Sequence, residues 1–300
     1  MTDIERVGVV GCGLMGAGIA EVCARAGVPV TVVERDAPAA EAGRLRIVRS
    51  LDRATAHGRL TDGQREDAAA LITVVARIEA LRDHDLVIEA VVEDEALKRD
   101  VLARLDAVVS GEHTVLATNT SSLPVVRLAA ATGRPERVVG VHFFNPVPVL
   151  PLVELVPSLL TSPTTAARAE TFVTDTLGKE VVRTRDTAGF VVNALLVPYL
   201  LAAIRMVESG GATAEDVDRG MVLGCAHPLG PLALADLIGL DTTRAIAESL
   251  YAEHREPQYA PPPLLSRMVE AGLLGRKSGQ GFHTYGTGPR RGEAAPAVSR

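Results

Sequence analysis

The chain has 300 residues, more than a single hydrophobic core usually supports, so two domains are expected. Of these residues 47% are hydrophobic, and 31 basic against 37 acidic side chains give a formal charge of −6 with no long run of one sign. That balance gives no reason to expect nucleic acid or an anionic membrane as a partner, and any phosphate-bearing ligand must be held locally. Cys12, Cys23 and Cys225 have neither the density of a disulfide scaffold nor a metal-ligand spacing, so a reducing cytoplasm and no metal are expected. The opening residues enter a strand pattern without the layout of a secretory leader, and no stretch reaches the about 18 apolar residues of a membrane span.

Through about residue 185, short apolar runs alternate with helical patterns, the signature of βα units around a mostly parallel sheet. Strands are expected at 6–10, 30–34, 85–90, 114–118, 137–143, 152–156 and 180–184. A charged helix pair, about 37–58 and 61–71, reads as too polar to form a core layer and is expected to project from the body. After GFVVN (189–193) the strand signals stop. Residues 190–208 carry a continuous apolar face, Thr213 is placed as a helix N-cap followed by early carboxylates, and 241–254 and 264–272 continue the helical pattern. The expected division is an α/β domain over 1–184 that includes the projecting pair at 37–71, a smaller all-α domain over 185–285, and a disordered tail over 286–300.

Gly11-Cys-Gly-Leu-Met-Gly16 follows the first strand and opens a helix pattern. The first glycine permits a tight turn, the second lets backbone approach a pyrophosphate, and the third lets helix pack closely on strand. Helix amides then face the phosphates, so Gly11, Gly13, Leu14, Met15 and Gly16 are the expected cradle of a dinucleotide. The second strand ends in Glu34, 18 residues after Gly16, where an acid binds the adenosine ribose hydroxyls. Its charge would repel a 2′-phosphate and so favours NAD, although Arg35 beside it leaves NADP as the less favoured cofactor. The first domain is therefore expected to be of Rossmann type.

HFFNPVPVLPLVELV (142–156) sets one acid, Glu154, in an apolar run preceded by a histidine and three prolines. TNTSSL (118–123) and HFFNP (142–146) fall just past the carboxyl ends of two strands, the ligand-binding edge of an open α/β sheet. A histidine there suits hydride transfer from an alcohol, which needs a base for the hydroxyl proton. Glu154 could orient that ring if the prolines turn LVELV back beside it. The alternative is a core histidine bonded to a backbone carbonyl with Glu154 pointing to solvent from an edge, and the residues themselves leave both readings open.

The glycine loop, VIEAVVEDEALK (87–98), NTSSL, HFFNPVP, LVELV, GFVVNALLVPYL, HPLGPLALADLIGLDT (227–242) and RKSGQGF (276–282) together resemble the 3-hydroxyacyl-CoA dehydrogenase family, in its order and spacings, over about residues 5–285. The resemblance is nearest to the bacterial 3-hydroxybutyryl-CoA dehydrogenases. It implies a Rossmann-type domain, a helical domain that also forms a homodimer, and NAD-dependent oxidation of (S)-3-hydroxyacyl-CoA to the 3-ketoacyl thioester. By the same resemblance His142 is the base, Glu154 its partner, and Ser121 and Asn193 hold the substrate oxygen. The resemblance also implies that Glu93, Lys98, Asn145 and Lys277 line the nicotinamide half of the cofactor site.

Taken alone, Ser121 also fits a helix N-cap, Lys98 a solvated lysine, and Glu89 a structural acid. His57, His84, His113 and His254 lie in polar surroundings and are expected to be solvated. The chain departs from many members at Ala194, where they have Arg, and at Pro151, where they have Lys. Lysines that meet the CoA phosphates elsewhere are replaced here by a sparse set, Ser50, Arg53 and Arg59. Three other readings stand beside acyl-CoA oxidation: a thioester on an acyl carrier protein, a sugar acid as in L-gulonate 3-dehydrogenases, and a nucleotide-binding regulator without catalysis.

Overall fold

The computed structural model describes residues 4–286. The first unit runs β1 (Val7–Val10), α1 (Leu14–Arg25), β2 (Val30–Val33), α2 (Ala37–Ala56), α3 (Asp62–Ala70), β3 (Ile72–Val75) and β4 (Leu86–Glu89). It continues with α4 (Glu95–Val108), β5 (Val115–Thr118), α5 (Val125–Ala129), β6 (Val138–Phe143), β7 (Leu152–Val156), α6 (Pro163–Thr171) and β8 (Glu180–Arg183). These strands form one eight-stranded sheet in the order β3-β2-β1-β4-β5-β6-β7-β8. Every neighbouring pair is parallel except β6 and β7.

The first six strands give the 3-2-1-4-5-6 order of a doubly wound dinucleotide fold, with the strand order reversing between β1 and β4. Successive side chains of a strand point to opposite faces. Val7 and Val9 of β1 thus join one buried cluster with Ile19 and Ile88, while Val10 joins another with Val87 and Leu116. Helices cover both faces, which is why the central strands read as continuous β-branched runs.

Two expectations are corrected here. Strand β3 was not expected, and Ile72–Val75 pairs in parallel with β2 at the sheet's edge. It is four residues long, half-buried and entered directly from α3, so its Ile-Thr-Val-Val signal is cut short. The charged helix pair does not stand clear of the body. Ala40, Gly43, Ile47 and Leu51 form a narrow buried stripe on α2, and Ile47, Leu51 and Ala68 of α3 belong to the same core cluster as α1. Gly43 permits this approach, because a Cβ there would meet the Cys12 side chain at 2.6 Å.

The division into compact units falls between Phe190 and Val191. The second unit is helical: α7 (Val192–Glu208), α8 (Ala214–Cys225), α9 (Pro231–Ile238), α10 (Leu240–His254) and α11 (Pro263–Glu270). Thr213 caps α8 by accepting the Asp216 amide at 3.1 Å. Two buried carboxylates organise this unit. Asp218 accepts the Leu232 and Ala233 amides at the start of α9 and pairs with His283 at 2.7 Å. Asp236 binds the Phe282 and His283 amides and the Tyr285 hydroxyl, tying the terminal segment to α9. Among the described residues no helix is long and apolar enough to cross a membrane. Apart from Gly286, the tail expected over 286–300 lies outside the described residues.

If α2 is a packed layer, Leu51→Ala will lower stability by about 2 to 5 kcal/mol, the cost of deleting a buried leucine side chain. Urea unfolding of the full chain measures this. A change within about 0.5 kcal/mol, ordinary for a surface position, would contradict the packing of α2.

Candidate active site

β1 ends at Val10 and α1 begins at Leu14, so the glycine loop turns at the carboxyl edge of the sheet. Gly11 has φ +92°, and a Cβ there would meet the Ala90 carbonyl oxygen at 2.8 Å. A Cβ at Gly16 would overlap the Gly11 carbonyl, whereas one at Gly13 would meet nothing within 4 Å. Two glycines thus serve the turn and the helix contact, and the middle one leaves the loop open to an approaching group. Beside it lies a cavity of about 570 Å³, lined among others by Gly13, Leu14, Glu34, Ile78, Val92 and Leu97.

Leu14 and Val92, 66% and 70% exposed, give this cavity part of its apolar wall. Glu34 stands at its rim and accepts the Cys12 amide at 2.6 Å. Arg35 is turned to Asp36 at 3.2 Å. From α2, Arg46 donates to the Cys12 carbonyl. Burial, with Glu34 adding and Arg46 opposing, pushes the Cys12 thiol up to about 11, so it stays protonated. Open loop, apolar walls and one carboxylate suit an adenosine dinucleotide with free ribose hydroxyls, and Met15 packs half-buried against the core beneath.

The antiparallel pairing of β6 and β7 sets His142 directly opposite Glu154. Their side chains meet, His142 Nδ1 to Glu154 Oε2 at 2.7 Å, and Glu154 has no solvent exposure. β7 lies between β6 and β8, so the solvated-edge reading of Glu154 does not hold. An ionised carboxylate only accepts, which puts the proton on Nδ1 and leaves a lone pair on Nε2. Ser121 Oγ lies 3.2 Å from that Nε2. The rings of Phe144 and Phe190 flank the imidazole at 4.6 and 5.5 Å.

The chain reverses between β6 and β7 through the proline segment, where Pro146 follows a cis peptide from the exposed Asn145. The Pro146 carbonyl accepts the Val149 and Leu150 amides. Lys179, just before β8, donates to the Val147 and Leu150 carbonyls at 2.8 and 2.7 Å. Burial, with Arg25 nearby, pulls the Lys179 ammonium below its usual range.

Ser121 sits on a turn that three side chains shape. Thr120 Oγ1 accepts the Leu123 amide at 3.0 Å, Asn119 Oδ1 accepts the Phe143 amide at 2.8 Å, and Glu93 Oε1 accepts from residues 120–122. Ser121 is not a helix cap: α5 begins at Val125, and Asp186 accepts the Val125 and Val126 amides. Lys98 is not a solvated lysine either. It is 1% exposed, with Nζ on both oxygens of fully buried Glu89 at 2.8 and 3.1 Å and 3.3 Å from Glu93. Burial alone would raise the Glu93 carboxyl, but Lys98, the Thr120 hydroxyl and the Ser121 amide hold it below the usual range.

The remaining expected residues are dispersed. Asn193 is half-buried in the first turn of α7, within the second unit. Lys277 belongs to that unit too, and its Nζ is engaged by Asp241 at 2.6 Å. Ser50 and Arg53 lie one turn apart on α2 and Arg59 in the turn that follows, with both guanidinium groups exposed. His84, expected to be solvated, is buried, and burial lowers its pKa. Lys179, Arg46 and Asp186 were missed because each acts on backbone more than 25 positions away, which no local pattern records.

Comparison with known proteins gives the same outline. The family model described as 3-hydroxyacyl-CoA dehydrogenase, NAD binding domain, matches residues 6–187, and the C-terminal domain model matches 189–285. A 3-hydroxybutyryl-CoA dehydrogenase of Mycobacterium tuberculosis is 60% identical over 286 residues, covering 95% of this chain and all of the relative. The crystal structure of M. tuberculosis FadB2 superposes with a TM-score of 0.93 at 60% identity, covering 94% of this chain and 99% of the other. That of (S)-3-hydroxybutyryl-CoA dehydrogenase PaaH1 from Ralstonia eutropha gives 0.89 at 44% identity, covering 95% and 100%. A cavity built on a glycine loop, a histidine and carboxylate across two strands, and matches spanning both units lead to one conclusion: the chain belongs to the 3-hydroxyacyl-CoA dehydrogenase family.

Proposed function

We propose that the protein oxidises (S)-3-hydroxyacyl-CoA, with 3-hydroxybutyryl-CoA as the short-chain substrate, to the 3-ketoacyl thioester in a reversible NAD-dependent reaction. The observation that carries this reading is the hydrogen-bonded line Glu154, His142, Ser121 at the sheet edge that also bears the glycine loop. NAD, when bound over that loop, supplies the hydride acceptor. Glu34 holds its ribose, and Asn145 and Glu93 stand at the nicotinamide half. The enclosure of the Lys98 ammonium supports a role beneath the cofactor more than against it, and the Asp241 pair argues against a cofactor contact for Lys277.

In the oxidising direction His142 takes the substrate hydroxyl proton on Nε2 and becomes an imidazolium. Buried Glu154 stabilises that cation through the Nδ1 bond, in surroundings that screen the pair weakly. Ser121, with Asn193 assigned by resemblance, orients the substrate oxygen. In the reverse direction hydride is added to the ketone carbon and His142 returns the proton to the forming alkoxide, and in both directions the thioester is untouched.

Arg35 is paired with Asp36 and Glu34 lines the cavity beside the glycine loop, which supports NAD over NADP. Ser50, Arg53 and Arg59 are assigned to the CoA phosphates, and the exposure of both arginines agrees with that role. We place the protein in the cytoplasm and in fatty acid metabolism, as a homodimer through the helical unit, which leaves Leu195, Leu223 and Leu237 exposed. The 60% identical relative favours the acyl-CoA branch over sugar-acid oxidation.

NADH oxidation with acetoacetyl-CoA, set against NAD reduction with L-gulonate, is the deciding assay. Turnover is expected with the first alone, and turnover with L-gulonate alone would replace this reading by the sugar-acid one. His142→Gln is expected to lower kcat by about 10² to 10⁴-fold, the usual share of a general base, with NADH affinity nearly unchanged.

Glu154→Gln keeps the shape but removes the charge that balances the imidazolium, so kcat should fall by at least about 10²-fold and its pH dependence should shift. A pH–rate profile identical to that of the unaltered enzyme would show that the pair does not act in the reaction. NADPH should support turnover much more slowly than NADH, and equal kcat/KM with the two would reverse the cofactor assignment.

A further inference from the structure

Glu93 is a partly buried carboxylate in the loop between β4 and α4, and its hydrogen bonds are divided between two tasks. Oε1 accepts from the Thr120 hydroxyl at 2.6 Å, the Ser121 amide at 2.8 Å, the Ser122 amide at 3.0 Å and the Ser122 hydroxyl at 3.1 Å. Oε2 lies 3.3 Å from Lys98 Nζ. One oxygen therefore gathers the turn that carries Ser121, and the other is anchored in the interior.

The anchor is itself fixed. Lys98 Nζ binds both oxygens of Glu89, the last residue of β4, and Glu89 accepts the Val91 amide at 2.7 Å and the Thr118 hydroxyl at 2.7 Å. Thr118 is the last residue of β5, so the pair is tied to two strand ends, and the loop that bears Glu93 has little freedom. A buried lysine paired with carboxylates contributes little net stability against well-packed apolar residues. What the pair does supply is a fixed position for the groups it binds.

We infer that Glu93, anchored by the buried Lys98–Glu89 pair, is a positioning residue that fixes the Ser121 turn so that Oγ meets His142 Nε2. This rests on the assignment of His142 and Ser121 to the reaction. Glu93 takes no proton and contacts no reacting atom in this role. It acts through Ser121, whose Oγ must stay within hydrogen-bond reach of Nε2, and a displacement of about 1 Å at such a group can cost about 10²-fold in rate.

A double-mutant cycle on the full-length enzyme separates this role from cofactor contact and from general support of the fold. Glu93→Gln, Ser121→Ala and the double variant are assayed for reduction of acetoacetyl-CoA, with NADH binding followed by fluorescence. At saturating NADH the single Glu93 change should lower kcat by about 10 to 10²-fold, whatever it does to NADH affinity, and the double variant should be no slower than Ser121→Ala. Losses in kcat that multiply at saturating NADH would overturn the inference.

A second measurement needs no substrate. The imidazole nitrogen resonances of His142 should move in Glu93→Gln toward their positions in Ser121→Ala, and an unmoved spectrum overturns the role even if acetoacetyl-CoA is not the substrate. Absence of turnover in the unaltered enzyme would instead count against the proposed function. Should Glu93→Gln fail to fold, Glu93→Asp keeps the charge and draws the carboxylate back from the turn. Its loss must also vanish in the Ser121→Ala background, and an additive loss refutes the inference.

Discussion

Glu154 on β7 carries its charge where water does not reach, and the antiparallel crossing from β6 to β7 makes that charge useful. A carboxylate in such a place is strongly disfavoured unless it is bonded, so the fold must deliver a partner at the same register. In a parallel continuation the next strand would return from the far edge through a long crossover. Reversing the chain within the proline segment instead sets residue 142 against residue 154 across one ladder, with no helix between. Lys179 holds the carbonyls of that reversal, so a second buried charge serves the placement of the first.

The remaining groups are laid out by sheet order. β1, β4, β5 and β6 are successive neighbours, and their carboxyl ends carry the glycine loop, Glu89, Thr118 with the Ser121 turn, and His142. Hydrogen bonds link these ends in a chain: the Thr118 hydroxyl and Lys98 Nζ donate to Glu89, Lys98 also pairs with Glu93, and Glu93 accepts the Ser121 amide. Parallel strands point all these ends the same way, so the site needs only short loops. Their positions are set by ladder register, which is far stiffer than a long excursion would be.

How legible this was in the sequence depends on the range of the interaction. Central strands announce themselves by β-branched runs, and Gly11 to Gly16 by a spacing whose three steric demands are local. The charged helices misled because average polarity hides a stripe of four residues, two of them an alanine and a glycine whose burial depends on Cys12 across the interface. Lys98 could not be distinguished from a surface lysine without knowing that Glu89 ends the neighbouring strand. His142 and Glu154 were visible as types, but their pairing depends on a chain reversal that three prolines permit and do not specify.

Two buried pairs stand at this edge: Glu89 with Lys98, and Glu154 with His142, are nearly or fully enclosed. Replacing such pairs with apolar side chains often leaves a protein as stable or more so, so stability alone does not account for them. The two pairs differ in what they can do. In the first both members keep fixed roles, and its product is geometry at Glu93. In the second, under the proposed function, one member changes charge as the proton moves, and the carboxylate opposite favours the charged form. A preorganised dipole or charge needs no solvent rearrangement at the moment of reaction, and this is where electrostatic catalysis gains most. Geometry from one buried pair and charge stabilisation from the other converge on a single lone pair, Nε2 of His142, with Ser121 as the point where they meet.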